Sequence, residues 1–335
     1  MKDKLPSSNA GVRAAQLSRL TTLGSVIAMN RARVFLLFAL LPLASLRAFS
    51  ADLGNAEQVA SATRFHIRSE ILNEERVVFV YLPDAYGAEA CRESRYPVLY
   101  LLDGRAYLEL TSGIAHHLGS YNAAVQRIPD LIVVAIQNTN RSRDMTPTRM
   151  TAGPYSSGSG GAVSFRNFLE NELIPAIDRR FRTSDARILV GHSLAGLFVL
   201  DTYLEKPGLF DAYIASDPSL WWDNNLLARR LSGRSSTIPG TTARVFIAQA
   251  NTPDSVPGEH DAHKAGITAF RTAMGRQKPP AFWLYRYFDD ETHLSVPLEA
   301  IYRGLLFVYD GYAPPRQPTS AVAPPNNSLE RIRER

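Results

Sequence analysis

The stretch Leu189-Val190-Gly191-His192-Ser193-Leu194-Ala195-Gly196-Leu197-Phe198 sets a serine between small residues at the point where an apolar strand passes into a helix. A serine hydroxyl is a weak nucleophile, so a catalyst using it must expose the oxygen, hold a base beside it and aim backbone N–H groups at the oxyanion that forms. A sharp strand-to-helix turn meets the first and third needs. It forces the serine into a strained backbone conformation, tolerable when the residues two before and two after, here Gly191 and Ala195, are too small to clash. The pattern alone is common, and its flanks make it specific. Arg187-Ile188-Leu189-Val190 has the character of a buried strand, while Leu197, Leu200, Tyr203 and Leu204 recur at the spacing of an amphipathic helix, with Gly196 as a close-packing point.

Outward from this turn, strands and helices alternate as expected of an α/β protein with a mostly parallel central sheet flanked by helices. Phe65–Ser69 and Arg76–Leu82 suggest an opening antiparallel pair, and Tyr96–Leu102 and Leu131–Ile136 are continuous apolar runs of the kind found in buried strands. Phe165, Phe168, Leu169, Leu173, Ile177 and Phe181 share one face of a predicted helix over Phe165–Phe181. After the serine turn come a strand at Arg244–Ala250, a helix at Ala262–Met274, a strand at Ala281–Tyr287 and a closing helix at Val296–Tyr309. Tyr155–Ala162, rich in Gly and Ser, is expected to be a mobile surface loop, since it lacks the Gly-Lys-Ser/Thr ending of a phosphate-binding loop.

Charge is unevenly spread. Of the net +5, residues 1–50 carry +6 (Lys2, Lys4, Arg13, Arg19, Arg31, Arg33 and Arg47 against Asp3), leaving −1 on the remainder. The basic pI therefore belongs to the leader, and no Lys/Arg stripe in the rest supports nucleic-acid binding. From Met29, a basic Asn30–Arg33 segment precedes the apolar run VFLLFALLPLASL and the small-residue site Ala48-Phe49-Ser50-Ala51. This is the layout of a cleavable secretory signal; the run is short for a membrane span and is interrupted by Pro42. The expectations are a start at Met29, a leader over 1–50, a single catalytic domain over 51–312 that is periplasmic or secreted with no stable membrane anchor after processing, and a disordered Pro-rich tail over 313–335. Cys91 is the sole cysteine, so no intrachain disulfide forms.

On a sheet of this kind the nucleophile is followed along the chain by the acid and then the histidine. His293 lies between the last predicted strand and the closing helix, where a loop would carry it to the serine. The acid is expected on the loop after Arg244–Ala250, with Asp254 the first candidate and Glu259 the second. The oxyanion donors are expected to be the N–H groups of Leu194 and of Arg105, which follows Asp103-Gly104 directly after the strand Tyr96–Leu102. Asn140, Arg141, Arg143, Trp221, Trp222 and Asp103 are candidates for contact with substrate, being on loops after strands or after the serine helix. A metal site from Glu259, His260 and His263 lacks a convincing further ligand, so neither metal nor organic cofactor is expected.

Several blocks in order, YPVLYLLDG at 96–104, IQNTNRSRDMTPTR at 136–149, ENELIPAIDRRF at 170–181, GHSLAGLF at 191–198, SDPSLWWDN at 216–224 and HLSVPLEAIYRGLLF at 293–307, make the chain resemble the putative-esterase (esterase D-like) branch of the α/β-hydrolase fold. That branch includes siderophore esterases of the enterobactin and salmochelin type, feruloyl esterases, S-formylglutathione hydrolases and mycolyltransferases. The resemblance implies hydrolysis of a small-molecule carboxylic ester through an acyl-enzyme on Ser193, with His293 as base and Arg105 and Leu194 as oxyanion donors. The family often has a Glu after a Gly in its acid loop, and Gln249-Ala250-Asn251-Thr252-Pro253-Asp254 departs from this. A Ser-His dyad therefore stays open beside the triad. Acyl transfer to an alcohol and a catalytically inactive binding module are the alternative functions.

Overall fold

The computed structural model describes residues 62–119, 126–233, 242–251, 259–277 and 282–314. The expected leader, Asp254 and the tail beyond Pro314 lie outside them. Eight strands form one sheet: β1 (Thr63–Ser69), β2 (Glu74–Tyr81), β3 (Tyr96–Leu101), β4 (Ile132–Ile136), β5 (Thr183–His192), β6 (Ala212–Ser216), β7 (Arg244–Ala250) and β8 (Phe282–Phe288). Their spatial order is β1-β2-β4-β3-β5-β6-β7-β8. β1 and β2 pair antiparallel, as do β2 and β4, and from β4 through β8 every pairing is parallel. This is the sheet of the α/β-hydrolase fold, in which the nucleophile strand is central.

The inner parallel strands β3, β4, β6 and β7 are apolar on both faces because each face is covered by helices, whereas the edge strand β8 leaves Phe282, Leu284 and Tyr287 exposed. Val98 and Tyr100 of β3 enter one apolar cluster, while Leu99 and Leu101 enter the other. The first cluster is completed by α3 (Ala162–Phe168), α4 (Ile174–Arg180), α5 (Leu194–Glu205), the segment α6 (Trp222–Gly233) and α7 (Glu259–Gly275). The second is completed by α1 (Gly104–Leu118) and α8 (Pro297–Val308). A short helix α2 (Arg141–Met145) follows β4. No described helix is long and apolar enough to cross a membrane.

Several sequence expectations are modified. The helix predicted over Phe165–Phe181 is broken by a π-helical turn at Leu169–Leu173, where Pro175 has no N–H to offer the carbonyl four residues back. α5 is not amphipathic: Leu194 through Leu204 are all buried, because α5 is enclosed between the sheet and its neighbouring helices. The Gly/Ser stretch before α3 is tied down, with Gly161 N–H donating to Arg143 O at 2.8 Å, Gly160 N–H to Thr146 Oγ1 at 2.8 Å and the Met150 N–H to Ser159 Oγ at 2.9 Å. β6, only five residues long and fully buried, has no counterpart among the predicted strands.

Candidate active site

β5 delivers Ser193 at its end and α5 starts with the next residue. Ser193 has φ 60° and ψ −119°, a strained conformation for a residue with a Cβ. A Cβ on Gly191 would lie 2.5 Å from Ala195 O, which is why the position two before the serine must be glycine. The turn is held on both sides: Ser193 N–H donates to Ser216 O at 2.9 Å, and Ser193 O accepts from Leu197 N–H at 2.9 Å and Ser219 N–H at 3.1 Å. Ser193 Oγ lies 3.3 Å from Ser219 Oγ. Gly196 allows α5 to approach the loop after β6, since a Cβ there would stand 3.1 Å from Pro218 Cα.

Ser193 opens into a cleft with His293, Leu294, Asp103, Arg105, Tyr107, Asn138, Arg141 and His192. Asp103, with φ 54°, turns β3 into α1, and a Cβ on the following Gly104 would meet Ala135 C and Ile136 N at 2.5 Å. This contact draws the start of α1, and with it Arg105, against β4. The Asp103 carboxylate accepts from Arg141 Nε at 2.7 Å, Arg141 Nη2 at 2.8 Å and Asn138 Nδ2 at 2.6 Å. Arg141 Nη2 also donates to His192 O at 3.1 Å. One arginine thus straps the loop after β3 to the serine turn.

The carboxylate beside His293 comes from an unexpected place. His293 Nδ1 lies 2.6 Å from Oδ2 of Asp217, which follows β6 rather than β7, while the expected Asp254 and the side chain of Glu259 lie outside the described residues. Asp217 is fully buried and has φ 40°. Its Oδ1 accepts from Ala250 N–H at 3.0 Å and His263 Nε2 at 2.9 Å, and its own N–H donates to Ala248 O at 2.9 Å, so β7 serves to anchor the acid. Burial alone pushes the carboxyl pKa up, but the hydrogen bonds from His263 and His293 outweigh it and hold the group well below the usual carboxylate range. Asp217 is ionised. His192, buried and with its ring centroid 4.4 Å from that of His293, is pulled down to about 4 by burial and by the neighbouring His293, and is neutral.

The other expected contacts are redistributed. Arg143 turns away from the cleft to pair with Glu74 at 2.7 Å and Asp144 at 2.7 Å. Trp222 is fully buried, its Nε1–H donating to Thr148 Oγ1 at 3.0 Å, and Trp221 packs on Tyr155; neither lines the cleft. The side chain of Glu259 is outside the described residues. Of the arginines expected near the substrate, Arg141 enters the cleft; sequence reasoning missed Asp217, Ser219 and His263 as members of this centre. For Asp217 a signal existed: Ala212-Tyr213-Ile214-Ala215 is a short apolar run ending directly at Ser216-Asp217. Among the described residues, Asp217, His263 and His293 form the group whose ligand atoms lie within 4.8 Å of one another, as a metal site would require; here those atoms are engaged in hydrogen bonds to each other.

The sequence profile of the family described as "Putative esterase" matches residues 69–273. Among curated proteins, the ferri-bacillibactin esterase BesA of Bacillus subtilis is 34% identical over 149 residues, 40% of this chain and 52% of that protein. The siderophore triacetylfusarinine C esterase of Aspergillus fumigatus is 36% identical over 136 residues, 38% of this chain and 46% of that protein. The chain spans about half the length of the curated relatives it matches. Among solved structures, an IroE-like serine hydrolase from Shewanella oneidensis superimposes with a TM-score of 0.68 at 32% identity, covering 75% of this chain and 81% of that one.

Proposed function

Because the chain belongs to the Putative esterase family, we propose that it is a serine hydrolase that cleaves carboxylic esters of the siderophore class through an acyl-enzyme on Ser193. The observation that carries this reading is the shared cleft of Ser193, His293 and Arg105, with His293 held by Asp217. A carboxylate only accepts hydrogen bonds, so His293 donates to Asp217 from Nδ1, and Nε2 is the nitrogen left to act as base. Ser193 Oγ attacks the ester carbonyl as Nε2 takes its proton. The oxyanion is stabilised by the Leu194 and Arg105 N–H groups, and the imidazolium then protonates the departing alcohol. Water, deprotonated by the same Nε2, releases the acid and restores the serine.

The Asp103–Arg141 strap supports this chemistry from below. Its role is to fix the Arg105 N–H relative to Ser193, since Arg141 joins both loops. With Arg141 neutralised by Asp103, the exposed Arg105 side chain gives the cleft a positive rim suited to an anionic, catecholate-like ester. The basic segment, apolar run and small-residue site before Ala51 support export of the mature enzyme to the periplasm or beyond.

The test is labelling by a fluorophosphonate probe together with a hydrolysis screen of p-nitrophenyl esters, feruloyl esters and iron-loaded or iron-free trilactone siderophores. Ser193→Ala and His293→Ala should each lower turnover by several orders of magnitude, and the double variant should resemble either single one, because both act in one proton-transfer unit. Near wild-type hydrolysis by a folded single variant would remove the site.

A further inference from the structure

Asp217 receives a second imidazole for which the acyl-enzyme scheme has no use. His263, on the first turns of α7, places Nε2 2.9 Å from Asp217 Oδ1, the oxygen that His293 does not touch. The side chain of His263 is 12% exposed and that of Asp217 is not exposed at all, so His263 is the layer between the acid and solvent. The approach is built into the fold. One turn further along α7, a Cβ on Gly266 would stand 2.6 Å from Leu220 C and Trp221 N, and this backbone contact brings α7 onto the loop that begins at Asp217.

We propose that His263 is a positioning residue, donating from Nε2 to Asp217 Oδ1 so that the carboxylate is held in the one rotamer in which Oδ2 meets His293 Nδ1. The inference rests on the esterase reading for its effect on turnover. Asp217 carries no proton, so both imidazoles donate, and the carboxylate is clamped by three donors: His263 and Ala250 N–H on Oδ1, His293 on Oδ2. Remove His263, and Oδ1 keeps only the Ala250 N–H while a path opens from solvent to a buried charge. The carboxylate can then turn about its Cβ–Cγ bond, and His293 loses the bond that fixes its ring in the cleft it shares with Ser193. Glutamine reproduces the donor, since its Nε2 reaches about as far as that of histidine.

The experiment compares His263→Ala, His263→Gln, Asp217→Asn and the Asp217→Asn/His263→Ala double variant in the full chain, with folding followed by circular dichroism. The readouts are kcat and KM on an ester and the NMR resonance of the His293 Nδ1 proton. His263→Ala should lower kcat by ~10- to 100-fold, the range for loss of one hydrogen bond to a charged group, with KM little changed. His263→Gln should recover most of that loss. In the Asp217→Asn background His263→Ala should cost almost nothing further, because its only route to the chemistry has gone. The downfield His293 Nδ1 proton should be present in the wild type and His263→Gln and absent in His263→Ala. Retention of full kcat and of the proton in His263→Ala, or full additivity with Asp217→Asn, overturns the proposal. The proton resonance reports on the relay without any ester, so a wild-type protein that turns over no ester refutes the esterase reading while the NMR comparison still decides the role of His263.

Discussion

His293 Nδ1 and Asp217 Oδ2 are 2.6 Å apart although 76 residues separate them in the chain. The bond joins the loop after β8 to the loop after β6, skipping over β7, whose last residue Ala250 supplies an N–H to the same carboxylate. This geometry is the ground for proposing Asp217 as the acid, an assignment open to mutation.

Asp217→Asn should lower turnover by about 10⁴-fold, because a neutral amide neither fixes the His293 tautomer nor stabilises its charged form. Asp254→Asn and Glu259→Gln should leave turnover close to wild type. Steady-state kinetics on one activated ester check all three. A large loss in Asp254→Asn with none in Asp217→Asn would return the acid to the loop after β7.

The Arg105 backbone should matter more than its side chain on a small neutral ester. Position 105 is in the first turn of α1, where proline is tolerated, so Arg105→Pro removes the N–H without breaking the helix. It should lower kcat by roughly 10²-fold, as loss of one oxyanion donor does. Arg105→Ala should retain kcat on that substrate and lose affinity for an anionic one. Equal losses in the two variants on the neutral ester would place the donor elsewhere.

Gly104→Ala tests how tightly the start of α1 is held against β4. The new Cβ would sit 2.5 Å from two backbone atoms that cannot move independently of the sheet. Overpacking of this kind costs about 1–3 kcal/mol, read as a lower Tm or urea midpoint. An unchanged midpoint would mean that α1 shifts freely.

Stability should fall on acidification in two windows. His192 is brought from 6.5 down to about 4, so the unfolded chain binds the proton first. Its contribution is fully present above pH 6.5 and is lost as pH falls towards 4, by about 3 kcal/mol at most. Glu74 is brought from 4.5 to about 2, chiefly by the hydrogen bond from Arg143, so its contribution is lost only between those lower values. Urea titrations across pH 7 to 3 should show both declines, and His192→Gln should flatten the upper one alone. An unaltered upper decline in that variant would assign it to another group.

The sequence by itself determined the elements that depend on local pattern. Gly191, Ser193 and Ala195 specify the strained turn because only small neighbours fit it, and the continuous apolar runs of β3, β4 and β7 specify buried parallel strands because helices must cover both their faces. His293 was legible because its position in chain order leaves few alternatives. Which carboxylate meets His293 was decided by the tertiary structure. β6 is as short as β4 but, as AYIAS against IVVAI, has two alanines and a serine whereas β4 is mostly β-branched, and without it the loop carrying Asp217 could not be placed beside β5. Arg141 rather than Arg143 enters the cleft because the two guanidinium groups diverge to different carboxylates, Asp103 and the Glu74–Asp144 pair, that are distant in sequence. The approach of His263 to Asp217 depends on a backbone contact between Gly266 and Leu220, which exists only once α7 has docked. Local pattern fixes what one segment does with its own neighbours; a partner supplied by another loop is chosen by packing, and packing is a property of the whole fold.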